Sequence, residues 1–442
     1  MSQMITPRFR HIIYSIAFPA LTIAQTIELT LPDAEQRAIE TSKLLQASRT
    51  RVEQAQLRTK EIATSKLPNL VLQGGYSHLS PVPPFQFTPP FPGAEPVTIA
   101  PVILDQTQLR LQLQQILYAG GRILASEEAA TLQTQAATDD YRNDQLKLRL
   151  NVRTVYWNLY KLRATLQALQ QTIRQLEARI RDAQHLQSAG LATSSDVLKL
   201  RVQLSTLRAQ QLDVEAQQQA LTVQLNNLIG LPLSTTLVLT TEPAIEDTIN
   251  TALDDMIAEA LEQRPDITAS QARLRSAEAG IAAAQAAWLP TIALNAGYTY
   301  ANPNPRILPN RQRFDGTWDV GISMSWNLWN WLQPQYQVGQ ARAQYEAARV
   351  TKELLSENAA VEITQNYVAL RPARERVSVA REAVIQAEDN YSLVANRFAA
   401  GIATSTDVLE AETLLLQART NEIAARADYM LAKARLLYSL GK

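Results

Sequence analysis

Two aspartates occupy the same position in a decapeptide that occurs twice in this chain. The first copy spans 189–198 and the second spans 400–409, 211 positions later, with eight of ten residues identical. In each copy a glycine precedes Ser/Thr residues and then the aspartate, Asp196 or Asp407. Glycine suits the left-handed residue after a helix end, and a Ser/Thr pair before the aspartate supplies an N-cap and a first-turn carboxylate. Each copy is therefore predicted to be the turn of a helical hairpin.

Side chains suited to catalysis or metal binding are sparse. The chain has no cysteine, and its three histidines, His11, His78 and His185, are far apart in sequence. No nucleophile stands in a pattern that would place a base beside it. The 42 basic and 42 acidic residues balance, so nothing indicates a nucleic-acid partner. We expect no enzyme, no cofactor and no metal site.

The amino terminus has the pattern of an export signal. Arg8 and Arg10 precede an apolar run, 12–21, and small residues follow as far as Ala24. This pattern predicts a signal peptide over 1–24, with a buried amino-terminal helix as the alternative. Beyond it no stretch of about 18 apolar residues occurs, so a role in a membrane would require strands.

Long helical arms flank both turns. Apolar residues before the first turn step by three and four, the spacing of a coiled-coil seam, and a similar seam follows it as far as Gly230. The alternating stretch 146–152 has helical patterns on both sides and is interpreted as helix. Arms of about 65 residues would extend on the order of 100 Å. Pro372 is expected to kink or bulge the second long arm.

Four stretches have the two-residue period of strands: 69–77, 109–114, 292–300 and 318–328. A shorter helical stretch, 31–62, precedes the first two strands, and another, 252–287, precedes the last two. A proline-rich loop separates the first two strands. Each strand is apolar on one face and small or polar on the other, as in a transmembrane β-barrel. Four strands cannot close a barrel, so several subunits must share one, and a trimer would supply twelve.

The order of elements repeats along the chain. Lys66-Leu67-Pro68 has a counterpart in Trp288-Leu289-Pro290, and Gly441 stands 211 residues after Gly230. We therefore predict a first structural repeat over 25–230, a linker over 231–250 that can carry small added structure, and a second repeat over 251–442.

Several motifs carry a family resemblance that covers essentially the whole mature chain. They are Arg264-Pro265-Asp266-Ile267, the run 277–290, Tyr118-Ala119-Gly120-Gly121-Arg122 at a strand-to-helix junction, and Gly-x-Ala-Thr-Ser-x-Asp-Val-Leu at both turns. With these motifs the chain resembles the TolC-type outer-membrane efflux proteins. The resemblance implies an α+β membrane protein: a homotrimer with a shared twelve-strand barrel in outer-membrane lipid and a twelve-helix tunnel in the periplasm of a Gram-negative-type envelope.

The resemblance also implies site residues. Asp407 and Glu410, three apart on one helix face, fall on the positions of an acidic ring at the periplasmic entrance, although both could instead only satisfy the helix dipole. In the first repeat the matching pair is Asp196 and Lys199, which can neutralise itself. Where a well-known member closes its tip with Tyr and Arg, this chain has Phe398 and Ala403, so Arg397 is a candidate for a different closing bond. The expected adaptor contacts at the hairpin tips are Gly190, Thr193, Asp196, Arg397, Gly401 and Thr404. The expected aromatic belt of the barrel is Tyr298, Tyr300, Trp318 and Trp326.

The function that the resemblance implies is passive exit of small molecules, such as drugs or toxic compounds, through the outer membrane. The implied partners are a periplasmic adaptor (membrane fusion) protein and an inner-membrane pump of the RND or ABC type. One alternative is the outer-membrane component of a type I protein secretion system. An alternative of another class is a periplasmic coiled-coil adaptor or scaffold, which also uses long helical hairpins.

Overall fold

The computed structural model describes residues 26–190, 192–245, 252–400 and 402–442. The predicted signal peptide, the turn residue Gly401 and the end of the predicted linker lie outside the described residues. The strands are β1 (Thr26–Leu29), β2 (Asn69–His78), β3 (Phe85–Phe87), β4 (Val97–Ala100), β5 (Asp105–Ala119), β6 (Thr236–Leu239), β7 (Thr291–Asn302) and β8 (Asp315–Ser325). The helices are α1 (Leu31–Thr41), α2 (Lys43–Thr64), α3 (Arg122–Ser188), α4 (Ser194–Leu228), α5 (Leu253–Gln263), α6 (Pro265–Gln285), α7 (Gln333–Ala399) and α8 (Ser405–Ser439).

The two predicted helical hairpins are present and have equal arm lengths. Helices α3 and α7 each contain 67 residues, and α4 and α8 each contain 35. The alternating stretch 146–152 lies inside α3, as predicted, and α7 continues through Pro372. Beyond α4, Gly230 has φ +71°, and a Cβ there would lie 2.6 Å from the Thr41 Cβ. This close approach requires glycine.

Both shorter helical stretches are broken in two, which corrects the prediction of continuous helices. Ser42 takes an extended conformation between α1 and α2, and its side chain accepts a hydrogen bond from Leu45 N as the N-cap of α2. Arg264 is extended, with ψ 127°, between α5 and α6. The residue before a proline is sterically disfavoured in the helical conformation, so Pro265 at the first position of α6 forces this break.

The four predicted membrane-length strands form one antiparallel sheet in the order β2-β5-β7-β8. Its register aligns Leu72, Leu111, Tyr298 and Trp318 in one row, and these side chains are all exposed. The adjacent row on the opposite face contains Gln112, Gly297 and Asp319. The sheet therefore has one apolar face that the chain does not cover and one polar face.

Strand bounds differ from the prediction most in β5 and β8. Strand β5 exceeds the predicted 109–114 at both ends, whereas β8 begins earlier, at Asp315, and ends at Ser325 instead of continuing to Leu328. Beyond β8, Trp326 Nε1 donates to Trp288 O over 3.1 Å, and positive φ values at Trp331 and Leu332 redirect the chain into α7.

Two small sheets were not predicted. Strands β3 and β4 form an antiparallel pair inside the segment predicted as a proline-rich loop. Strand β6 lies in the predicted linker and pairs in parallel with β1. The Tyr156 hydroxyl of α3 donates to Leu29 O over 3.1 Å and accepts from Thr241 N over 3.1 Å. Strand pairing with such distant segments has no signal in local periodicity.

The chain divides into two compact units, and helices α3, α7 and α8 contribute residues to both. The first contains the described residues within 26–41, 152–244 and 377–428. Its core is an apolar cluster of α3 and α4 joined by Leu416 of α8. The second contains 42–151, 245–376 and 429–442, including the four-stranded sheet. Its main cluster packs α5 against α7 and the end of α8.

Candidate functional site at the hairpin tips

The tip of the second hairpin is built around a capping box at the start of α8. Thr404 N donates to Asp407 Oδ2 over 2.8 Å, and Asp407 N donates to Thr404 Oγ1 over 3.2 Å. The backbone hydrogen bond from Thr404, followed by the bond from its hydroxyl, lowers the pKa of Asp407. The cap is the threonine before the Ser/Thr pair, one position earlier than the sequence pattern suggested. Reciprocal bonds of this kind satisfy backbone donors that a helix start leaves free.

The tip of the first hairpin has the same local structure. Gly190, after the end of α3, has φ +74°. Thr193 caps α4: its N donates to Asp196 Oδ2 over 3.1 Å, and Asp196 N donates to Thr193 Oγ1 over 3.2 Å. The shared Thr-x-x-Asp spacing therefore produces the same helix start twice.

The two tips are joined to each other by hydrogen bonds. Ser405 Oγ donates to Asp196 Oδ1 over 2.7 Å, and Lys199 Nζ lies 3.4 Å from Thr406 Oγ1. The pKa of Asp196 is lowered first by the Thr193 hydroxyl and next by the Ser405 hydroxyl, and Lys199 makes the smallest contribution. Asp196 is therefore bonded mainly to hydroxyls, and Lys199 approaches the other hairpin.

A cavity of 470 Å³ at the second tip brings three of the predicted site residues together. Its lining comprises Asn390, Val394, Arg397, Ile402, Ala403, Asp407, Glu410, Ala411 and Leu414. Asp407 and Glu410 are exposed there, on one face of α8. The Arg397 carbonyl accepts from Ile402 N over 2.9 Å, which closes the end of α7. The site can attract a cation through its carboxylates, and the guanidinium of Arg397 moderates that attraction.

Glu412 is a candidate residue that sequence reasoning missed. It is 5% exposed on α8, and neither carboxylate oxygen has a hydrogen-bond partner among the described residues. Burial raises its pKa to about 7, against a smaller lowering by Arg179. The Arg179 guanidinium instead binds the Tyr391 hydroxyl over 2.9 Å. A signal was available, because α8 has apolar residues four before and three and four after this position, which places it on the buried stripe.

The predicted aromatic belt lies on the exposed apolar face of the sheet, in the second unit. Tyr298, Tyr300 and Trp318 are 49%, 41% and 72% exposed near the loop end of β7 and β8. Trp326, 51% exposed, follows the opposite end of β8. Eight positions separate the two tryptophans, or about 26 Å at roughly 3.3 Å per residue.

The described residues contain neither a metal-binding cluster nor a membrane-spanning helix. No group of three or more His, Asp or Glu side chains there is arranged to hold a metal ion. None of the described helices combines the length and apolar character needed to cross a bilayer.

The fold is similar to that of solved outer-membrane channels. The structure superposes on the channel CusC with a TM-score of 0.77 at 18% identity, covering 98% of this chain and 99% of that one. The family model of outer membrane efflux proteins matches residues 35–231 and again 256–442, so the chain belongs to this family.

Named relatives agree with the family match. The chain is 25% identical over 350 residues to the toluene efflux pump outer membrane protein TtgF of Pseudomonas putida. It is equally similar to the probable efflux pump outer membrane protein SepC of the same species. Each match covers 77% of this chain and 70% of the relative. The predicted function as an efflux protein of the outer membrane is confirmed, and so is the predicted location.

Proposed function

We propose that three copies of this chain form one passive duct, with a shared barrel of twelve strands. The observation that carries the proposal is the four-stranded sheet, in which β2 and β8 each pair on one side only and the apolar face is exposed. Open strand edges are not tolerated in lipid because their backbone groups lack partners. Pairing β8 of one copy with β2 of the next removes every edge. The polar face then lines a water-filled lumen.

The hairpins continue this duct through the periplasm as twelve helices, and the chain arose as two repeats, 25–230 and 251–442. The equal arm lengths and the twin capping boxes support the duplication. Gly230 and Gly441 support it too, because both have positive φ and approach Thr41 and Arg264, each at a break between two short helices. Segment 1–24 directs export, and 231–250 is the linker.

Asp407 and Glu410 form the entrance gate of the duct. In a trimer they place six carboxylates around the mouth, which favours cations and offers a site for block by divalent metal. The tips, including Gly190, Thr193, Arg397 and Gly401, contact a periplasmic adaptor, and an inner-membrane pump supplies the energy. The duct catalyses no reaction. Its cargo is small molecules, such as drugs or toxic compounds.

Single-channel conductance in a planar bilayer tests the proposal. The unmutated trimer is expected to give small cation-selective currents that a divalent cation blocks. Glu410→Gln removes half of the ring charge without touching a cap, so it should weaken the block, and Asp407→Ala with Glu410→Ala should abolish it.

The control is Asp196→Ala, which removes the equivalent capping carboxylate of the first hairpin and should leave the block in place. If every variant conducts and is blocked by the divalent cation like the unmutated trimer, the gate assignment is wrong and the duct proposal stands. No current from correctly assembled trimers would overturn the duct and favour a scaffold.

A further inference from the structure

Charge is nearly absent from the strands of the four-stranded sheet. Charged side chains occur at the first residues Asp105 and Asp315 and at two interior positions, Arg110 of β5 and Asp319 of β8. Ionisable groups at membrane depth are costly and usually mark a pathway for ions or substrate. The two interior charges, Arg110 and Asp319, are therefore candidates for such a pathway.

Both interior charges lie on the polar face. Arg110 is aligned with Thr299 and Asp319 with Gly297, so the two are diagonal neighbours across β7. Arg110 Nη2 lies 3.8 Å from Asp319 Oδ2, and the two side chains are 38% and 48% exposed. A contact of this length between half-exposed groups is weak. Each charge consequently remains available to ions in the adjacent solvent.

Gly297 makes room for the pair. A Cβ there would lie 3.2 Å from both Asp319 oxygens and 3.4 Å from Arg110 Nη2. Arg110 Nε is buried and has no partner among the described residues. The Arg110 guanidinium therefore extends past Gly297 toward the Asp319 carboxylate, but the two groups do not form a close ion pair.

We propose that Arg110 and Asp319 form a mixed-charge ring in the barrel lumen that sets the ion selectivity of the membrane part of the duct. The inference rests on the proposed function, because the ring exists only if three sheets close. Three guanidinium and three carboxylate groups then face one water-filled lumen and nearly cancel. Rings of charged side chains are a general means of selecting ions in pores. This filter is separate from the acidic residues at the hairpin tips.

Reversal potentials of the full-length trimer in a potassium chloride gradient test the inference. Asp319→Asn leaves three uncompensated guanidinium groups and should shift the reversal potential toward chloride. Arg110→Gln leaves three carboxylates and should shift it toward potassium. The double variant should return to the unmutated value. Gln112→Asn, on the same polar face, is the matched control and should produce no shift.

The outcomes separate the inference from the duct. Normal currents with unchanged reversal potentials, or shifts of the same sign in both single variants, would overturn the ring alone. No current from the unmutated trimer would overturn the duct and the ring together. If Asp319→Asn or Arg110→Gln fails to assemble, Asp319→Ser or Arg110→Ser provides the test, because it removes the same charge with a smaller side chain. The reversal potential should shift with the sign expected for the variant that it replaces, and an unmoved value would refute the ring.

Discussion

Ser405 Oγ donates a 2.7 Å hydrogen bond to Asp196 Oδ1, and this bond joins the starts of the two return helices. Asp196 uses its other oxygen, Oδ2, for the capping box with Thr193. One carboxylate therefore both starts α4 and binds the other hairpin. Asp407, its counterpart in the second copy of the decapeptide, is exposed instead.

This bond gives a prediction about titration. Ser405→Ala should raise the pKa of Asp196, because the Ser405 hydroxyl stabilises the ionised form. Since the folded pKa of Asp196 is below its unfolded value of 3.8, its contribution to stability is present above pH 3.8 and is lost as pH falls through the folded pKa. The variant should therefore lose less stability on acidification. NMR titration of the carboxylate and acid unfolding measure the two effects, with Thr406→Ala as the control; an unmoved pKa would show that the bond is absent in solution.

Glu412 predicts a stability change near neutral pH. Burial raises its folded pKa to about 7 from 4.5, so the fold favours the protonated acid. Stability from this group is full below pH 4.5, declines as pH rises, and levels off above about pH 7. Glu412→Gln should remove this decline and stabilise the protein at pH 8 by roughly 2–3 kcal/mol. Thermal unfolding between pH 5 and 8 measures it.

The control for this prediction is Glu410→Gln, an exposed carboxylate on the same helix. It should keep the decline of the unmutated protein. A Glu412→Gln variant with the same pH dependence as the unmutated protein would mean that the pKa of Glu412 is not raised in the folded state, and so that its carboxylate is solvated or has found a partner.

We predict that truncation of the Arg264 side chain causes a large loss of stability. The guanidinium is buried and donates to both oxygens of Asp266, to Glu362 over 2.8 Å and to Ser439 O over 3.0 Å. Arg264→Ala leaves these acceptors unpaired and should cost about 3 kcal/mol, and Arg264→Lys should recover only part because lysine lacks the planar fork. Chemical denaturation measures this. Arg371→Ala, at an 85% exposed position, should cost under about 0.5 kcal/mol, and equal losses would refute the network.

We expect arginine substitutions at two adjacent residues of β5 to have different effects on trimer assembly. Leu111 lies on the exposed apolar face and Gln112 on the polar face. If the apolar face meets lipid, Leu111→Arg should destabilise the trimer by about 1 kcal/mol, the cost near the membrane interface where its neighbours Tyr298 and Trp318 lie, whereas Gln112→Arg should assemble normally and alter conductance. The yield of heat-resistant trimer in outer-membrane fractions distinguishes them. Equal yields would contradict a lipid-facing assignment of Leu111.

Local pattern was sufficient for the long hairpins and the four strands. Seams that repeat over dozens of residues, and strands of about ten residues with strict alternation, leave few alternatives. The sequence predicted a capped helix start at each turn but placed the cap one position too late, although the Thr-x-x-Asp spacing of the capping box is complete within four residues. Pro265 also indicates the break between α5 and α6, but the helical pattern on both sides of it favoured one continuous helix.

Tertiary structure alone decided which distant groups meet. Three contacts depend on it: the pairing of β1 with β6, the bond from Ser405 to Asp196 and the approach of Arg110 to Asp319. Each joins segments that are distant in sequence, and the third reaches across β7. Glu412 is an intermediate case: its spacing from apolar residues of α8 indicates a buried position, whereas the absence of a hydrogen-bond partner among the described residues depends on the fold. Helix periods and caps depend on nearby residues, whereas burial, ion pairing and strand register depend on contacts that sequence spacing does not contain.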